Sequence, residues 1–131
     1  MISERAILGK LRKICLALPE TKETNTWGHP NFRVGEKIFA VFEEYKGELG
    51  ICVKVGKLIQ GVFLDDPRFF RTPYVGKYGW VTLRVHSAPL NWTEIRELVK
   101  GSYLLIAPGQ EKKSSRAGKK RGAKKRSKSR E

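Results

Sequence analysis

The apolar residues of this chain change their spacing twice, and no other feature limits its fold so sharply. Between Ser3 and Leu18, the residues Ala6, Ile7, Leu11, Ile14, Cys15 and Leu18 recur every three or four positions and draw one apolar stripe along a helix. Between Asn31 and Val55 the spacing falls to two, so that Leu49, Ile51, Val53 and Val55 face one way while Glu48, Cys52 and Lys54 face the other. From Asn91 onward, Ile95, Leu98, Val99, Tyr103 and Ile106 return to helical spacing. Each helix has one stripe to bury, and the strands have one apolar face. Packing both helices on that face satisfies all of them. This predicts an α+β fold, an antiparallel sheet with the N- and C-terminal helices on one side.

Local signals set the joints. Ser3 can cap the first helix, Glu4 suits its first turn, and Pro19 ends it. Glu20–Pro30, rich in Thr, Asn, Gly and Pro, reads as a loop. Asn31–Val34 and Lys37–Tyr45 are strands joined at Gly35-Glu36, where a leading glycine suits a type II′ turn; Lys46-Gly47 then joins Lys37–Tyr45 to Glu48–Val55. Lys57–Leu64 is compatible with a short helix or a strand, and Asp65-Asp66-Pro67 breaks it. Arg68–Arg71 and Trp80–Val85 are further strands around a loop at Tyr74–Gly79, and Trp80 is expected to pack beneath a helix. Asn91 with Glu94 makes a capping box and Leu90 with Ile95 a hydrophobic staple at the start of the last helix.

Composition divides the chain near Pro108-Gly109. Residues 1–109 are expected to form one domain, and residues 110–131 a disordered basic tail. From Glu111 to Glu131 there are 11 of the 27 basic residues, only 2 of the 13 acidic ones, and no aromatic or β-branched side chain. Such a segment cannot bury enough apolar area to offset the entropy of ordering it. The net charge of +14 points to a polyanion partner, nucleic acid before an anionic membrane. Cys15 and Cys52 are too few for a disulfide framework and sit in apolar patterns. Lys10, Arg12 and Lys13 interrupt the first apolar stretch, so it is an amphipathic helix and not a signal peptide or membrane span. A cytoplasmic monomer is the expectation.

Motifs for catalysis are missing from the sequence. His29 and His86 stand far apart, and no HxH, HExxH, CxxC, GxSxG, phosphate loop or GxGxxG occurs, so neither an enzyme, a metal site nor a cofactor is expected. Two groups of residues remain as candidates. Arg33, Lys37, Lys54, Arg71, Lys77 and Arg84 lie in or beside strands and are interleaved with Phe32, Phe39, Tyr74, Tyr78 and Trp80, a pairing of phosphate grips and stacking surfaces. The tail adds Lys119, Lys120, Arg121, Lys124, Lys125 and Arg126, a polycation that gives affinity without sequence preference. The other group is a pocket formed by Trp27, His29 and Tyr74, serving a small molecule or a protein partner; otherwise His29 orders its loop beside a packed indole.

Specific stretches resemble the MmcQ/YjbR family: Cys15-Leu16-Ala17-Leu18-Pro19-Glu20, then Trp27-Gly28-His29-Pro30-Asn31-Phe32-Arg33-Val34 and Gly35-Glu36-Lys37-Ile38-Phe39-Ala40. Asp66-Pro67-Arg68-Phe69-Phe70, Pro73-Tyr74-Val75-Gly76, Gly79-Trp80-Val81 and Ser102-Tyr103 continue the likeness over roughly residues 5–107. The resemblance implies a frataxin-like (CyaY-like) α+β fold, also described as a double wing, and a small DNA-binding protein without catalytic residues to carry over. Frataxins collect iron on an acidic first helix. Here Glu4 is outnumbered by Arg5, Lys10, Arg12 and Lys13, the wrong charge for that role. The reading from the sequence is therefore a non-catalytic DNA-binding protein, with an RNA- or ribosome-associated role and the Trp27/His29 pocket as alternatives.

Overall fold

The computed structural model of the protein describes residues 3–107. Helix α1 (Glu4–Leu16) leads into strands β1 (Thr21–Thr26), β2 (His29–Val34), β3 (Lys37–Tyr45) and β4 (Glu48–Lys54). The one-turn helix α2 (Gln60–Leu64), β5 (Phe69–Arg71), a 3-10 turn (Gly76–Tyr78), β6 (Trp80–Arg84) and α3 (Trp92–Ile106) follow. The strands form one antiparallel sheet in the order β1-β2-β3-β4-β6-β5. With both long helices on one side of it, this is the α+β architecture that the two changes of period predict.

Alternation carries the core. Phe42, Ile51 and Leu83 lie side by side across β3, β4 and β6, and so do Ala40, Val53 and Val81. All six are buried against Ile7, Leu11 and Cys15 of α1 and Ile95, Val99 and Tyr103 of α3. A bulge between β2 and β3 lets Phe39 join them, and its ring meets Tyr103 edge to face at 5.5 Å. Pairing of β3 with β4 stops at Ala40–Val53. Just beyond, the fully buried Ser102 hydroxyl accepts from Lys54 N at 2.9 Å and donates to Phe39 O at 2.6 Å, so no ladder group is left unpaired there.

The helix ends follow their local chemistry. Ser3 Oγ accepts from Ala6 N, and Asn91 Oδ1 accepts from Glu94 N, both at 3.1 Å. The Glu94 carboxylate is held by Arg68, at 2.8 and 3.0 Å, and Arg68 also binds Asp66 at 2.7 Å. That ion triad ties the start of α3 to the turn before β5.

Two expectations about the fold need correction. Glu20–Pro30 is not a loop: Thr21–Thr26 is the edge strand β1, and His29 already belongs to β2. Its sequence TKETNT has no apolar face because neither side of this edge strand is fully buried, while its threonines suit extended backbone. Trp80 is buried, but it pairs with Lys54 on the face away from the helices, not beneath one. Lys57–Leu64, compatible in sequence with a helix or a strand, takes the first alternative and contains the short helix α2. The tail, with its candidate cations Lys119, Lys120, Arg121, Lys124, Lys125 and Arg126, lies outside the described residues.

Candidate functional site

The face of the sheet opposite the helices carries a cleft of about 420 Å³. Asn31, Ile38, Val41, Glu43, Cys52, Thr72 and Trp80 line its floor, and its rims are Thr26, Trp27 and His29 on one side and Pro73, Tyr74 and Val75 on the other. The three residues of the sequence-derived pocket, Trp27, His29 and Tyr74, therefore surround one space. Its volume falls in the range of small-ligand sites, roughly 300–1,000 Å³.

Both rims hold an aromatic ring out into solvent on unfavourable backbone. Trp27 and Gly28 join β1 to β2 with φ of +58° and +81°, as Lys46 and Gly47 join β3 to β4 with φ of +51° and +82°. Positive φ at both central residues is the mark of a type I′ turn, whose first position favours Asn, Asp or Gly. Trp27 fills it here and is 89% exposed, so its indole is not the packed ring the sequence suggested. On the opposite rim Tyr74 has φ of +70°, and Val75 N donates to Pro73 O at 2.8 Å across it. This is the rare, strained form of the γ-turn. Tyr74 is 88% exposed. Its loop is held rigidly from below, because the buried Gln60 amide donates to Gly76 O at 2.8 Å and Trp80 O at 2.9 Å. Each non-glycine residue held at such a φ costs on the order of 1–3 kcal/mol.

Beneath the rings runs a buried polar chain. Cys52 Sγ donates to Glu43 Oε2 at 3.7 Å and lies 3.3 Å from Thr82 Oγ1, which is 2.9 Å from Thr72 Oγ1. The thiol has one hydrogen, directed to Glu43; Thr82 therefore donates to sulfur and Thr72 to Thr82. The chain ends on the Glu43 carboxylate. Burial, more than any other influence, pushes the Cys52 thiol up to about 12, so it is a neutral donor and not a nucleophile at physiological pH. Across Val41 from Cys52, Asn31, 3% exposed, accepts from Thr24 Oγ1 and donates to His29 O at 3.3 Å. Among the described residues no three His, Cys, Asp or Glu side chains converge as a metal site would require.

The six strand-associated cations do not form one cluster. Arg33 donates to Thr24 Oγ1 and Glu36 O, and Arg84 to Pro67 O and Phe69 O while facing Glu48 at 3.5 Å. Both are engaged by the protein. Lys54 lines a separate groove against α3, and Lys37 is exposed at the β2–β3 turn. Arg71 and Lys77 are exposed on either side of Tyr74 in sequence, and neither pairs with an acid among the described residues. Sequence reasoning missed Asn31, Glu43 and the Cys52–Thr82–Thr72 chain, which carry no local motif.

A family model described as YjbR matches residues 16–105. The chain belongs to the YjbR family. Two solved structures share the fold of this YjbR protein. One is a Deinococcus radiodurans protein with a DUF419 domain, 23% identical, with a TM-score of 0.66 over 76% of this chain and 78% of its own. The other is a Pseudomonas syringae protein, 19% identical, with a TM-score of 0.64 over 80% of this chain and 99% of its own. No curated protein matches the YjbR chain. No helix among its described residues is long and apolar enough to cross a membrane.

Proposed function

We propose that this chain is a non-catalytic DNA-binding protein that takes unstacked bases into the open-face cleft and holds the flanking phosphates with cations. The observation that carries this reading is the pair of exposed rings, Trp27 and Tyr74, on opposite rims of one cleft and both on strained backbone. Folding gains nothing from either arrangement, whereas a base stacked on an exposed ring gains about 1–3 kcal/mol. Arg71 and Lys77 flank Tyr74, where the strand would leave the cleft, and the net charge of +14 draws a polyanion to the surface. The neutral Cys52 thiol supports a binding role over nucleophilic catalysis.

Fluorescence anisotropy with a labelled single-stranded DNA, an RNA of the same sequence and the DNA duplex tests the reading. Single-stranded DNA is expected to bind best, and Trp27→Ala and Tyr74→Ala each to weaken it by about 1–3 kcal/mol. Truncation after Gly109 is expected to reduce the slope of log affinity against log salt by roughly 4–6, with a weaker, ring-dependent affinity surviving. Wild-type affinity in both alanine variants, or no residual binding after truncation, would defeat it. The size of the cleft would then favour a free small molecule beside Trp27 and His29.

A further inference from the structure

The open-face cleft has a polarity of its own. It is apolar or aromatic at Ile38, Val41 and Trp80 of the floor and at Val75 of the rim, yet the floor also holds the carboxylate of Glu43, which makes no ion pair among the described residues. A carboxylate there repels phosphate, so a strand's backbone must pass outside, over Arg71 and Lys77, with only a base entering. One carboxylate oxygen receives the weak thiol donor of Cys52, and the carboxylate keeps most of its accepting capacity. Asn31 supplies the opposite polarity. Its side-chain oxygen accepts from Thr24 and one amide hydrogen goes to His29 O, while the other amide hydrogen meets no acceptor among the described residues. Asn31 stands opposite Val41 in the β2–β3 register, and Glu43 is two residues further along the same face of β3. Such diagonal neighbours are about 7–8 Å apart. The floor thus presents one donor beside a two-oxygen acceptor.

Given the nucleic-acid reading, on which this rests, we infer that the cleft selects guanine. The Watson–Crick edge of guanine carries one acceptor, O6, followed by two adjacent donors, N1–H and the 2-amino group. O6 meets the free Asn31 amide hydrogen, the two donors meet the Glu43 carboxylate, and the ring lies against the rim aromatics. Thymine places a carbonyl on each side of its single donor and would turn one of them toward the carboxylate. Cytosine and adenine each offer one amino group next to a ring-nitrogen acceptor, half of the match. Reading of this kind is a matter of donor and acceptor order.

The test uses the full chain and labelled thymidine decamers with one central position varied. Guanine at that position is expected to bind roughly tenfold or more tightly than thymine, and inosine, which lacks the 2-amino group, to lose most of that gain. Glu43→Gln keeps the side-chain size and replaces one acceptor oxygen with a donor; it is expected to abolish the preference, the guanine and all-thymidine decamers binding this variant with equal affinity. Equal affinity for guanine and thymine, or a preference that survives Glu43→Gln, overturns guanine selection. If Trp27→Ala still weakens the decamers in that case, the cleft binds strands without reading them, and only this inference fails. If Trp27→Ala and Tyr74→Ala are also silent, the nucleic-acid reading of the cleft fails with it. Free dGMP competing as well as the guanine decamer would make the ligand a nucleotide and would likewise overturn the strand-bound form proposed here.

Discussion

On the helix side of the sheet, Phe32 and Phe39 are wholly buried among Ile7, Leu11, Val99 and Tyr103. On the other side, Trp27 and Tyr74 stand almost entirely in water on left-handed backbone. The two pairs of rings do opposite things for the folded state. The phenylalanines are placed by a bulge, a helix stripe and a buried serine, all of which improve packing. The tryptophan and tyrosine occupy positions that a smaller polar residue would fill with less strain. The comparison teaches where stability is made in this fold, and where conformation is held for something outside it.

Truncating the helix side should have the largest effect. Phe39→Ala empties a fully buried site and is expected to destabilise the domain by about 3–5 kcal/mol in urea unfolding. A loss below that range would mean that the helix layer packs less closely than its burial indicates. On the open face the same kind of experiment should change sign. Trp27→Asn keeps the type I′ turn with a residue that tolerates positive φ, so stability should rise by about 1 kcal/mol while affinity for single-stranded DNA falls. A destabilised Trp27→Asn protein would show that the indole packs on the fold after all and would erase the contrast between the faces.

The smallest effect concerns the joint before β5. Hydrogen bonds from Arg68, first from its side chain and then from its backbone, hold the exposed Asp66 carboxyl below its ordinary value of 3.8. Folding therefore favours ionised Asp66. Its contribution is present above the ordinary value and is lost as pH falls below 3.8 toward the lower folded value. Because the group is exposed, the change should be slight, and Asp66→Asn should flatten the stability curve only in that acid window. An unchanged acid slope in Asp66→Asn would mean that the pair adds nothing to the joint.

Some of the open face is legible in the sequence. Trp27-Gly28 has the same two-residue form as Lys46-Gly47, which reads at once as a hairpin because apolar alternation flanks it. Around Trp27 the alternation fails on one side, since TKETNT is an edge strand with no apolar series to repeat. The hairpin signal was therefore present without its usual flank. The floor is different. Asn31, Glu43, Cys52, Thr72 and Thr82 come from separate segments, and none makes a motif with its sequence neighbours.

Periodicity, capping and turn chemistry depend on residues within about four positions of one another, so the sequence alone determines the two helices, their caps at Ser3 and Asn91, the hairpins at Gly35 and Lys46, and the apolar face of β4. Strand order and the path of the Pro73–Val75 loop are set by contacts between distant segments. Only the tertiary structure decides that β6 lies between β4 and β5, that Trp80 faces away from the helices, and that Cys52 is buried on a face no helix covers. Burial is a property of the assembled surface. For that reason the sequence could name Trp27, His29 and Tyr74, but only the fold could set them around Glu43 and Asn31.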